Sequence, residues 1–195
     1  MRILFVCTGN TCRSPMAEGM LRKLAQERGV PVEVRSAGVA AMEGIAMSLH
    51  AEAVLKDQGI KDNITSTPLK GELISWADLI LTLTESHKRQ VIFSFPETAE
   101  KVYALKEYVE DNESVLADQE ELQQLIADVE LDRALGNLQN EAKIQRINEI
   151  ARRLPVYDIS DPFGGPREIY DRAAAEIQEA LGKLLDKLDG ANTDS

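Results

Sequence analysis

An apolar run, Ile3-Leu4-Phe5-Val6, passes straight into Cys7-Thr8-Gly9-Asn10-Thr11-Cys12-Arg13-Ser14, and Pro15 then presets the backbone for a helix. A buried strand feeding a tight loop and a helix is the first half of a β-α-β unit, which commits the chain to an α/β fold with parallel strands. Gly9 and Asn10 tolerate the positive φ angles of a tight loop, and a loop so built aims several backbone N–H groups inward. Those donors, the positive end of the helix dipole and the Arg13 guanidinium favour negative charge on a bound phosphate and on the Cys7 sulfur. Residues 7–14 therefore read as a phosphate cradle with an ionised nucleophile, Cys7, at the strand end.

Strand and helix patterns keep alternating downstream. Met16, Met20, Leu21 and Leu24 recur at helical spacing until Gly29, and residues 32–35 alternate as a second strand. Helices are expected over 46–58, 69–76, 85–93 and 166–188, with strands over 79–83 and 102–105. The unbroken run Leu79-Ile80-Leu81-Thr82-Leu83 suits a central strand covered on both faces. The predicted fold is a four-stranded parallel sheet with helices on both faces, and Cys7 falls at the carboxyl end of a strand, where such sheets bind ligands.

The 195 residues, 44% of them hydrophobic, suffice for the core of a single domain, expected over 1–190 with a frayed tail at 191–195. Residues 111–156 stand apart: they carry twice as many acidic as basic side chains and no aromatic, and apolar residues from Leu122 through Leu138 to Leu154 follow helical spacing. This segment reads as a helical insertion of two amphipathic helices joined near Gly136-Asn137, either a solvated excursion or a lid or docking surface. A net charge of −11 repels phosphate backbones and acidic headgroups, so neither nucleic acid nor a membrane is an expected partner. Two cysteines in one loop form neither a zinc quartet nor a secreted disulfide framework, and the start at Met1 enters a strand without a signal-peptide pattern; a cytoplasmic location is expected.

Phosphoryl transfer to a cysteine needs an acid for the leaving group and later a base for water. Asp161 meets that need: Pro162 disfavours helix at Asp161 and Gly164-Gly165 turn the chain, so the carboxylate is offered from a loop. Asp158 lacks the proline and is the weaker candidate.

With Cys7–Ser14, Ser36-Ala37-Gly38 and Asp161-Pro162 in place, the chain resembles the low-molecular-weight protein tyrosine phosphatase family over residues 1 to about 110 and about 157 to 188. The resemblance implies that Cys7 is the nucleophile, that Arg13 grips the phosphoryl oxygens, and that Ser14 donates to the sulfur. It implies further that Asn10 shapes the loop with help from Ser36, that Asp161 is acid and base, and that Cys12 can pair reversibly with Cys7 under oxidation. No metal or organic cofactor is required.

Thr11 and Phe163 bear on specificity. Tyrosine-specific members carry an apolar branched residue where Thr11 stands, and two adjacent aromatics after Asp-Pro where this chain has Phe163-Gly164. An unpaired hydroxyl against an apolar ring costs on the order of 1–3 kcal/mol, whereas a polar leaving group can meet it. Both departures resemble the protein arginine phosphatase branch, whose substrates are proteins carrying phosphoarginine. A tyrosine phosphatase with an unusual rim remains the alternative. A thioredoxin-coupled arsenate reductase, which needs further cysteines, and a non-catalytic oxyanion or redox-sensing module stand behind it. His50 and His87 lack partners at ligand spacing and read as surface or packing residues, and Trp76 as core near the third strand.

Overall fold

The computed structural model describes residues 1–137 and 139–193, with side chains through residue 190; Leu138 and the last two residues of the expected tail lie outside the described residues. Four strands, β1 (Arg2–Cys7), β2 (Glu33–Gly38), β3 (Leu79–Thr82) and β4 (Val102–Ala104), form one all-parallel sheet in the order β2-β1-β3-β4. Among the described residues eight α-helices follow in chain order: α1 (Arg13–Arg28), α2 (Leu49–Asp57), α3 (Gly71–Trp76), α4 (Glu85–Ser94), α5 (Leu105–Tyr108), α6 (Glu113–Ala134), α7 (Glu141–Arg153) and α8 (Arg167–Thr193).

Alternation along β1 explains the layering. Ile3, Phe5 and Cys7 face one side of the sheet, with Met16 and Met20 of α1 and Ile177 and Leu181 of α8 in the same buried cluster. Leu4 and Val6 face the other side, with Ile74 of α3 and Val91 of α4. Burial on both faces is why residues 3–6 of β1 and 79–81 of β3 are apolar without interruption. The chain leaves β1 toward β2 on one side and returns to β3 on the other, so the carboxyl end of β1, where Cys7 pairs with Gly38, is the point at which strand order reverses.

The element boundaries depart from the sequence reading where side chains seize the backbone. Helix α2 begins at Leu49 rather than residue 46, because Ser66 Oγ accepts the Ile45 N–H at 2.9 Å, Ala46 bridges Thr65, and Ser48 is the N-cap. Helix α3 begins at Gly71 rather than residue 69, since the Leu69 N–H bonds to Gly38 O and Pro68 bridges Gly38. Helix α1 already starts at Arg13, two residues before Pro15. The backbone of α8 continues to Thr193, so residues 191–193 are helical.

The chain divides into two compact units, one of residues 1–109 with 157 onward, the other Glu110–Val156. In the second, α6 and α7 are joined through Gly136 at φ 77°, and ion pairs of Arg146 with Glu121 (2.6 Å) and Lys143 with Asp132 (2.7 Å) run between them. Among the described residues no helix is long and apolar enough to cross a membrane.

Candidate active site

Between the end of β1 and the start of α1 the backbone closes a tight loop. Asn10 alone of its residues takes a positive φ, 54°. Gly9, which would tolerate the same conformation, does not take it: its φ is not positive, and a Cβ there would meet only Thr11 Oγ1 at 3.7 Å, an ordinary contact. The glycine that the loop does require is Gly38 on β2, where a Cβ would stand 2.4 Å from Thr8 O and 2.9 Å from Asn10 N.

Asn10 is fully buried, and its amide holds the loop from behind. Its Nδ2 donates to Ser14 Oγ and to Ser36 Oγ, each at 2.8 Å, and its Oδ1 accepts the Thr67 N–H at 2.8 Å. Ser36 in turn donates to the buried carboxylate of Glu18, which also takes Arg22. Ser36 accepts from Asn10 and gives its own proton to Glu18, so the direction of the chain runs outward from Asn10. With Asn10 donating to it, Ser14 directs its proton to Cys7 Sγ at 2.9 Å in preference to Ala37 O at 3.5 Å. The Asn10 N–H adds a second contact to the sulfur at 3.3 Å. Burial raises Glu18 above the usual carboxylate range, against the pull of Ser36 and Arg22. The residues Ser14 and Glu18 sit four apart on α1, one turn from each other, and that spacing was a signal available in the sequence.

Among the described residues, the amides of Gly9, Thr11, Cys12 and Arg13 have no protein acceptor. They form a concave set of free donors at the N-terminus of α1, suited to an oxyanion. Arg13, 6% exposed, is anchored by one Nη on Ile159 O at 3.2 Å and meets Asp161 Oδ2 with the other at 3.1 Å. Asp161 also accepts the Phe163 N–H at 3.2 Å, and its side chain remains exposed. A cleft of about 240 Å³ is lined by Cys7, Thr8, Gly9, Thr11, Cys12 and Arg13 from below and by Asp161 and Phe163 from above. The structure thus brings the sequence-derived loop, the late aspartate, Thr11 and Phe163 to one opening, with Asn10, Ser14 and Ser36 behind it. Asp158 is elsewhere employed: its Oδ1 accepts the Glu85 N–H at 2.8 Å at the start of α4. The sulfur of Cys12 is buried against Ser48 Oγ (3.4 Å) and Tyr170 OH (3.5 Å), and both cysteines are free thiols.

His87 is the residue that sequence reasoning passed over. It is 4% exposed, with Nε2 2.8 Å from Thr8 Oγ1 and Nδ1 2.9 Å from Thr84 Oγ1. Burial, and then the nearby Arg13 charge, lower its pKa to about 4. The Thr84-to-His87 spacing of an N-cap hinted at the local bond, whereas nothing in the sequence pairs His87 with Thr8. His50 is exposed with its ring 5.3 Å from that of Tyr170, and Trp76 is partly buried beneath the Arg35 guanidinium at 4.4 Å.

A family model described as "Low molecular weight phosphotyrosine protein phosphatase" matches residues 2–128. A protein-arginine-phosphatase of Geobacillus stearothermophilus is 37% identical over 188 residues, covering 96% of this chain and 95% of that protein. A low molecular weight protein-tyrosine-phosphatase PtpB of Staphylococcus haemolyticus is 35% identical over 184 residues, covering 94% and 97%. Among solved structures, a YwlE arginine phosphatase, a C7S mutant with a phosphorylated active site serine, aligns with a TM-score of 0.70 at 33% identity, covering 97% and 96%.

Proposed function

Because this chain belongs to the low molecular weight phosphotyrosine protein phosphatase family, we propose that it hydrolyses phosphoarginine on proteins through a cysteinyl-phosphate intermediate. The observation that carries the choice of substrate is Thr11, a residue with a hydroxyl, in the lining of the same cleft as Asp161 and Phe163. A guanidinium leaving group is polar on every edge, so it suits a rim with a hydroxyl and the Asp161 carboxyl group, and it needs only one aromatic wall. A relative with the arginine activity in its name, similar over nearly the whole chain, supports the same choice.

The Cys7 thiolate attacks phosphorus, an S–P bond forms, and the P–N bond breaks as Asp161 gives its proton to the departing nitrogen. The free amides of the loop and the Arg13 guanidinium take the charge that gathers on the phosphoryl oxygens. Asp161, now a carboxylate, accepts a proton from the water that attacks phosphorus; the S–P bond breaks, and Ser14 steadies the returning thiolate. The repulsive net charge of −11 leaves this local donor set to supply phosphate affinity, and a cytoplasmic setting keeps the two thiols reduced. The exposed Phe163 favours a second reading, a phosphotyrosine ring stacked on that side chain.

Kinetics on matched phosphoarginine and phosphotyrosine peptides, with Thr11→Ile beside the parent, test the assignment. The parent is expected to prefer phosphoarginine, and Thr11→Ile to move the preference toward phosphotyrosine. A parent that prefers phosphotyrosine ends the arginine assignment, and undiminished hydrolysis in Cys7→Ser ends the mechanism.

A further inference from the structure

Thr8 stands on the wall of the cleft and His87 lies buried behind it. Both ring nitrogens of His87 meet hydroxyls, and a neutral imidazole offers one donor and one acceptor, so the two hydroxyls are held in opposite senses. Thr84 settles which sense applies. Its Oγ1 already accepts the His87 backbone N–H at 3.1 Å, and Nδ1 is the acceptor within reach of its buried hydroxyl proton. Nδ1 therefore accepts, Nε2 carries the ring proton, and that proton goes to Thr8 Oγ1. The hydroxyl proton of Thr8 is left without an acceptor among the described residues, and Thr8 lines the same cleft as Cys7.

We propose that Thr8 is a phosphoryl-contacting residue whose hydroxyl donates to a non-bridging phosphoryl oxygen, and that His87 is the positioning residue that turns it there. The inference rests on the phosphatase reading of the cleft but not on the identity of the leaving group. Burial and the Arg13 charge keep His87 neutral under working conditions, as the arrangement needs. A threonine next to the nucleophile thus adds a side-chain donor to the backbone donors of the loop, and a helix on the far side of the sheet sets its direction.

Competitive inhibition by inorganic phosphate reads the contact without a leaving group. Thr8→Val and His87→Phe are each expected to weaken inhibition by about tenfold, the double variant by no more than either alone, while Thr8→Ser and His87→Gln retain near-parental inhibition. Nitrogen NMR of the resting protein is expected to show Nε2 protonated and Nδ1 bare. Unchanged phosphate inhibition in Thr8→Val, or a ring protonated at Nδ1, overturns the proposal while parental turnover stands. A parent that hydrolyses no phosphorylated peptide instead overturns the function on which it rests.

Discussion

Lowering the pH exposes what it costs to bury His87. Its folded pKa of about 4 lies below the ordinary 6.5, so the unfolded chain takes up the proton first as pH falls. The stability is whole above 6.5 and is lost progressively down to about pH 4, the sign opposite to that of a salt-bridged histidine. At about 1.36 kcal/mol per pH unit of displacement, this one side chain withdraws about 3 kcal/mol of folding free energy by pH 4. The charges that face it are Arg13, which opposes protonation, and Asp158 and Asp161, which favour it less strongly. Glu18, raised by burial, acts in the other direction, losing its contribution as pH rises through its folded value, but it is common to parent and variant and cancels in their difference. Urea denaturation of the parent and His87→Gln at intervals from pH 7 to pH 4 is therefore expected to give stability profiles that diverge by about 3 kcal/mol, the parent falling faster. Parallel profiles, or an NMR titration of His87 between pH 6 and 7, refute the reasoning.

Gly38→Ala places a methyl group against Thr8 O and Asn10 N and is expected to lower kcat/KM by about a hundredfold or more, with far-ultraviolet circular dichroism unchanged; near-parental turnover contradicts the close approach. Asp161→Asn is expected to lower kcat by about 10²–10⁴-fold with an unchanged denaturation midpoint, whereas Asp158→Ala sacrifices about 1 kcal/mol of stability through the start of α4 and retains kcat. Exchanged outcomes for the two aspartates refute their assignment. Ser36→Ala removes one of the two hydroxyls that orient the Asn10 amide, and slower alkylation of Cys7 by iodoacetamide at neutral pH is the expected result.

The strand-loop-helix start and the late Asp161-Pro162 were legible because each is a local statement: an apolar run, a turn chemistry and a helix start within fourteen residues, or a proline that fixes its neighbour. The sheet followed from strand length and from apolar runs too continuous for an exposed face. What stayed hidden is tertiary. Gly38 stood in the quoted Ser36-Ala37-Gly38, yet its reason is a contact with residues 8 and 10 that only the β1-β2 register creates. His87 reads from the sequence as a surface or packing residue because its partner Thr8 is 79 positions away and neither residue is unusual in its own segment. The start of α2 was misplaced by three residues because a serine from a later loop, Ser66, captures the chain before the helix begins.

The bracing of the loop from behind divides the molecule's capacity for change. Asn10, Ser14, Ser36 and Glu18 are buried and none of them lines the cleft, while Thr11 and Phe163 do. Mutation at the front is expected to change which phosphorylated side chain is taken without disturbing Cys7, whereas mutation at the rear is expected to lower turnover on every substrate alike. A scaffold so partitioned can diversify its clientele by single rim substitutions while its engine is inherited unaltered.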